Sequence, residues 1–177
     1  MSRVSAEGQG LTIGSGWRRA ALLSALLATS CAHTPTLADI HTESYTLPSV
    51  DGAPLALRDL RGKVVIVSFF ATWCFPCVAE VALFKHLQEQ HPRDLAIVSI
   101  GMDLEGGIVL KPYRDAMQIA YPVLIADDDT RKGDSPFGPI HELPSTFVLD
   151  REGHVQSAFS GVASEAVLEQ MVDQLAK

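Results

Sequence analysis

The sequence is short of cysteine, of positive charge and of long apolar runs, and each shortage narrows what the protein can be. Only three of its 177 residues are cysteine. Two of them, Cys74 and Cys77, lie so close in the chain that a bond between them closes too small a loop to restrict the unfolded state much. Chemistry is therefore a better reason for that pair than stapling. Lys and Arg number 14 against 21 Asp and Glu, giving a net charge of −7 and a pI near 5.3. Nothing in that balance suits a nucleic-acid backbone, so no nucleic acid is expected as a partner. The apolar run Ala20 to Ala28 is about half of the roughly 20 residues that span a bilayer, which speaks against a permanent transmembrane helix. Internal repeats and low-complexity tracts are missing too. What is present, 47% hydrophobic and 20% charged residues, suits one domain with a real core and some extra sequence at one end.

That extra sequence has the layout of a secretory signal over residues 1–30: Arg18 and Arg19, then the short apolar run, then small residues leading into Cys31. Ala28-Thr29-Ser30-Cys31 resembles the lipobox of bacterial lipoproteins, in which the cysteine carries a lipid and cleavage falls just before it. Ala28 stands where leucine is usual, and the same small residues suit an ordinary signal peptidase. Arg18-Arg19 is also part of a twin-arginine pattern, without the rest of it. Export is the expectation, either as a lipoprotein anchored through Cys31 on the periplasmic face of a membrane or as a soluble periplasmic protein. Residues 31–40, aperiodic and containing a proline, read as a tether, and the domain is expected over 41–177.

Within the domain, Tyr45 to Leu47 and Pro54 to Leu57 flank the turn signal Asp51-Gly52 as a hairpin. Val64 to Phe70 is an apolar strand buried on both faces. Val78, Val81, Phe84 and Leu87 recur at helical spacing, with Glu80, Lys85, Gln88 and Glu89 between them, and the helix ends near His91-Pro92. Leu95 to Ile100 predicts a strand, Val109 to Ile119 a helix and Pro122 to Ile125 a short strand. Ser145 to Leu149 and His154 to Phe159 flank Asp150 to Gly153 as an antiparallel hairpin. A last helix runs from about Ser164, with Val167, Leu168, Met171, Val172 and Leu175 on one face. The expected class is α/β, a mixed central sheet covered by helices on both faces.

Cys74-Phe75-Pro76-Cys77 falls where the buried strand gives way to the helix. Cys74 then meets unpaired N–H groups and the positive end of the helix dipole, which favour a thiolate. Pro76 is tolerated in a first turn, where its missing N–H has no intrahelical partner. Cys74 is the expected attacking sulfur, and Cys77, one turn on and inside, resolves the mixed disulfide.

The segment Gly62 to Cys77, with its Trp73-Cys74-Phe75-Pro76-Cys77 ending, resembles the thioredoxin superfamily and, more narrowly, its TlpA/ResA branch of thiol-disulfide oxidoreductases. The resemblance implies a thioredoxin-like fold with an N-terminal hairpin and, over about Gly107 to Ala126, an extra central helix and strand. It makes Leu143-Pro144-Ser145-Thr146-Phe147 the cis-proline segment that offers backbone groups to an incoming peptide. It also implies electrons from a membrane thiol carrier, and exported protein disulfides, often those of apocytochromes, as substrates. Ser68 is a departure, because thioredoxin itself has a buried aspartate there. Proton transfer to and from Cys77 must come from elsewhere, and a glutamate at the place of Glu80 occurs in the branch. The candidate site is therefore Cys74, Cys77 and Glu80 for chemistry, with Trp73, Phe75, Pro76, Leu143 and Pro144 facing the substrate. No cofactor beyond the redox-active pair is expected.

Other readings compete at several of these residues. Cys74, Cys77, His86 and His91 could be taken for zinc ligands, but that leaves Trp73 and Pro76 unexplained. A copper-delivery module needs a histidine beside the thiolates, for which only His141 or His154 is on offer. A thiol oxidant or isomerase would use the same pair in the opposite direction. Asp127-Asp128-Asp129 reads as a solvated turn, not a calcium loop. Trp73 could equally be a packing residue and Glu80 a solvated helix residue.

Overall fold

The computed structural model describes Leu37 and residues 42–177. The expected signal segment 1–30, Cys31 and all of the tether except Leu37 lie outside the described residues. Strands β1 (Thr46–Leu47) and β2 (Leu55–Ala56) pair antiparallel as the expected hairpin, and Leu57–Leu60 follows as a 3-10 turn. Next come β3 (Val64–Phe70), helix α1 (Phe75–Gln90), β4 (Leu95–Gly101), α2 (Gly107–Ala116), β5 (Val123–Ile125) and the short helix α3 (Asp128–Lys132). Strands β6 (Ser145–Leu149) and β7 (Val155–Ser160) and helix α4 (Glu165–Leu175) complete the chain.

The main sheet has the order β5-β4-β3-β6-β7, with β3 parallel to β4 and antiparallel to β6. Every residue of β3 is buried, as its almost unbroken apolar run requires of a central strand. Alternate residues serve two cores. Val64, Ile66 and Phe70 pack with Val81, Phe84 and Leu87 of α1, Leu110 of α2 and Leu168 and Val172 of α4. Val65, Val67 and Phe69 face the other way, toward Leu47, Leu57, Phe137 and Phe147. Residue Thr130 of α3 belongs with that second layer through its hydroxyl contact with Tyr45, 2.7 Å away. Helix α2 lies close on β4 because residue 101 is glycine: a Cβ there would fall 2.2 Å from a Leu110 methyl.

Several elements differ from the sequence reading. Helix α2 begins before Val109 and ends before Ile119. Gln118, at φ 51°, turns the chain, and the N–H groups of Gln118 and Ile119 donate to the carbonyls of Asp115 and Arg114. This Schellman closure stops the helix although the apolar period continues. Pro122 lies outside β5. The Asp127–Asp129 segment is a helix start and not merely a solvated turn: the Asp127 carboxylate accepts from the Thr130 N–H at 2.8 Å, and α3 ends at Gly133 with φ 92°. On α4, Val167 is exposed while Leu168 and Val172 are buried. On α1 the inward positions are Cys77, Glu80, Val81, Phe84 and Leu87, and Val78 is exposed. Glu80 therefore occupies an interior position that the apolar pattern had assigned elsewhere.

Candidate active site

The C-terminal ends of β3 and β4 and the N-terminal end of β6 meet at one edge of the sheet. Phe70 is opposite Gly101 on one side, and Phe69 is opposite Ser145 on the other. The turn after β3 thus runs between the loop that follows β4 and the loop that precedes β6. This turn carries Cys74, the N-cap residue of α1, with Pro76 at the second helical position. The Cys74 sulfur accepts a hydrogen bond from the Cys77 N–H at 3.3 Å, one of the orphan donors of a helix start. Cys74 and Cys77 are joined as a disulfide with Cα atoms 5.3 Å apart.

Both cysteines are buried, yet they face different spaces. Cys74 lines an open cleft of about 430 Å³ together with Trp73, Phe75, Pro76, Ile140, His141, Glu142 and Leu143. Cys77 lines an inner void of about 10 Å³ with Ser68, Glu80, Ser99 and Tyr121. Trp73 and Phe75 are exposed, so Trp73 is not a packing residue over the helix start. The Leu143–Pro144 peptide bond is cis, and the Pro144 carbonyl accepts from the Gly161 N–H at 2.8 Å.

Glu80 is only 2% exposed, so it is no solvated helix residue. Its carboxylate lies over the cross-strand pair Ser68 and Thr146. It accepts from the Ser68 hydroxyl at 3.0 Å, the Thr146 hydroxyl at 3.2 Å and the Ala163 N–H at 3.4 Å. Burial pushes its pKa above the ordinary glutamate value, and the three donors oppose that shift without cancelling it. Ser68 thus gives up the aspartate of thioredoxin but supplies a donor to the carboxylate that approaches from α1.

The sequence reading missed Thr146, Ala163, Ser99 and Tyr121 around Glu80, and Ile140 and Glu142 in the cleft. It also missed Asp103, whose buried carboxylate accepts from the Thr72 N–H and hydroxyl at the base of the cysteine turn. None of these has a local signal, since each acts through strand register or a loop contact. Of the proposed metal ligands, His141 does line the cleft. His86 lies 3.6 Å from Glu165, and His154 lies 3.4 Å from Asp150. Among the described residues no group of three or more His, Cys, Asp or Glu side chains is placed to hold a metal ion.

A mixed sheet with a two-cysteine turn at the start of a helix, beside a cis-proline loop, defines a thioredoxin-like dithiol-disulfide protein. The AhpC/TSA family pattern matches residues 41–158, and the chain belongs to that family. It is 28% identical over 131 residues to the thioredoxin-like protein YneN of Bacillus subtilis, covering 73% of this chain and 75% of that protein. It is 29% identical over 129 residues to the thiol-disulfide oxidoreductase ResA of the same organism, covering 71% and 68%. The crystal structure of a thiol:disulfide interchange protein of the thioredoxin family from Chlorobium tepidum superposes with a TM-score of 0.66. That protein is 31% identical, and the match covers 77% of this chain and 95% of that one. The protein is a thiol-disulfide oxidoreductase with the pair Cys74-Cys77, in keeping with the TlpA/ResA resemblance.

Proposed function

We propose that the protein is an exported reductant of disulfides in extracytoplasmic proteins, apocytochromes among them, in which Cys74 attacks, Cys77 resolves and Glu80 moves the proton. The observation that carries this reading is the division of the pair: Cys74 opens on the cleft, while Cys77 faces the void it shares with Glu80. In the reduced protein the Cys74 thiolate attacks one sulfur of the partner's disulfide, forming a mixed disulfide and releasing the partner's other sulfur as a thiolate. Glu80 takes the proton of Cys77, whose thiolate then attacks the Cys74 sulfur. The partner leaves with two reduced sulfurs, which take one proton from Glu80 and one from solvent, and the Cys74-Cys77 disulfide carries the two-electron oxidation. A membrane thiol carrier would return those electrons. Trp73, Phe75, Pro76, Leu143 and Pro144 line or border the cleft and would hold the partner chain.

Direction is decided by potential. A redox titration of the pair against glutathione should place it below about −200 mV, on the reducing side of the disulfide isomerases, and a value near −120 mV would instead mark an oxidant. Export rests on residues 1–30, and among the described residues no helix is long and apolar enough to cross a membrane. Mass spectrometry of the native protein should find a chain beginning at Cys31 with an added lipid mass. An unlipidated start at or after Cys31 would remove the anchor alone, whereas a chain beginning at Met1 or Ser2 would refute export.

A further inference from the structure

Eight large apolar side chains are exposed among the described residues: Leu37, Trp73, Phe75, Val78, Leu104, Ile108, Val162 and Val167. Scattered single exposures are ordinary, but these are not scattered. All except Leu37 and Val167 belong to segments that gather at the cysteine edge of the sheet. Val162 lies between Gly161, whose N–H donates to Pro144, and Ala163, whose N–H donates to Glu80. Leu104 and Ile108, 84% and 82% exposed, stand on the opposite side of the cysteine turn from the Ile140 to Leu143 wall, Leu104 on the loop between β4 and α2 and Ile108 in the first turn of α2.

That loop is fixed to the turn. The Asp103 carboxylate, 2% exposed, accepts from the Thr72 N–H at 3.1 Å and from the Thr72 hydroxyl at 2.5 Å. The Asp103 carbonyl accepts from Arg131 at 3.0 Å, and the Met102 N–H donates to the Phe70 carbonyl at 2.8 Å. Leu104 and Trp73 each adjoin a member of the Asp103–Thr72 pair, so these bonds tie the segment that carries Leu104 to the turn that carries the exposed indole. These donors satisfy the buried carboxylate and pin its loop against the cysteine turn.

We propose that Leu104 and Ile108 extend the partner-docking face beyond the cleft, that the segment docked there is an apolar stretch of the substrate protein beside its disulfide, and that Asp103 positions this face. The inference rests on the oxidoreductase reading above, because disulfide exchange requires a partner chain to lie across Cys74, and the Asp103–Thr72 bonds hold the Leu104 segment against the turn that carries Trp73 and Cys74. Glu105, between the two apolar residues in sequence, adds one negative charge, so the segment that fits is apolar and free of acidic residues.

The test uses the full-length reduced protein and measures second-order rate constants toward three oxidised probes. Two are disulfide peptides that differ only in whether apolar or aspartate residues flank the cysteine, and the third is oxidised glutathione. The wild type should favour the apolar peptide, and Leu104→Ser/Ile108→Ser should lose about fivefold to tenfold on that peptide alone. Its rate toward glutathione disulfide should stay within about twofold, as for a substitution away from the reacting sulfurs. Asp103→Ala should lose the same preference, and Asp103→Asn, which retains an acceptor for Thr72, should keep part of it. Equal losses on both peptides, no loss, or a parallel loss on glutathione disulfide would overturn the proposal. So would a double variant that keeps its peptide preference but no longer binds phosphatidylglycerol vesicles that the wild type binds, since the face would then be a lipid contact. A wild type inert toward all three probes would refute the oxidoreductase reading itself, a result distinct from activity without peptide preference.

Discussion

Cys77→Ala should turn the protein into a trap. With Cys74 left as the sole thiol in the domain, the first exchange still occurs, but nothing inside the fold can attack the resulting mixed disulfide, and partner proteins should remain covalently attached. Cys74→Ala should trap nothing, because Cys77 lines the inner void while the cleft belongs to Cys74. Steady-state reduction of a protein disulfide should fall by about 10³-fold or more in either variant, as expected when a nucleophile that acts as part of a unit is removed. Non-reducing electrophoresis of the purified variants, followed by mass spectrometry of the adducts, reads the difference directly. Adducts on Cys74→Ala, or faster alkylation of Cys77 than of Cys74 at mildly acidic pH, would reverse the assignment. The basis is local: the Cys74 sulfur already accepts the Cys77 N–H at the helix start, and the same donors and the helix dipole favour its thiolate.

Much of this arrangement was legible because it is written locally. A seven-residue stretch that is apolar at every position but Ser68 is best satisfied by a strand covered on both faces, and β3 is such a strand. A proline one residue after Phe75 fits a helix start, and that is where Pro76 sits. The parts that escaped depend on what lies across a gap in the sequence. The family resemblance names Glu80 but not its surroundings: the apolar period alone would turn it outward, and it points inward because register brings Ser68 and Thr146 side by side beneath it. Val78, apolar and apparently in phase, points out because the inner arc of α1 runs through Cys77, Glu80 and Val81. Asp103 looks like any loop aspartate until β4 places it against Thr72. Helix α3 has no apolar period and exists through its Asp127 cap and Gly133 stop. Capping can be read from sequence, but a helix of one turn gives periodicity nothing to detect.

Glu80→Gln should slow resolution by about a hundredfold, the low end of what loss of a positioned proton acceptor costs, while leaving the first attack by Cys74 intact. The ionised carboxylate is the form that can take the Cys77 proton, and burial keeps Glu80 protonated to higher pH than an ordinary glutamate. The wild-type resolution rate should therefore climb with pH above the ordinary glutamate value of 4.5, and the variant should lack that rise. Stability should respond in the opposite sense. Between the ordinary and the raised value the unfolded chain loses a proton that the folded chain keeps, so this group favours folding fully at low pH and less as pH rises through the folded-state value. Glutamine does not titrate and can still bond Ser68 and Thr146, so Glu80→Gln should gain stability relative to wild type on going from pH 4 to pH 8. A relative gain of about 1 kcal/mol would appear as roughly 2–4 °C in Tm for a chain of this size. Single-turnover reduction of a protein disulfide across pH 5 to 8, paired with thermal melts at the same pH values, separates the two roles. Superimposable rate profiles with a pH-dependent difference in Tm would leave Glu80 as a buried structural carboxylate, and the proton of Cys77 would then need another acceptor.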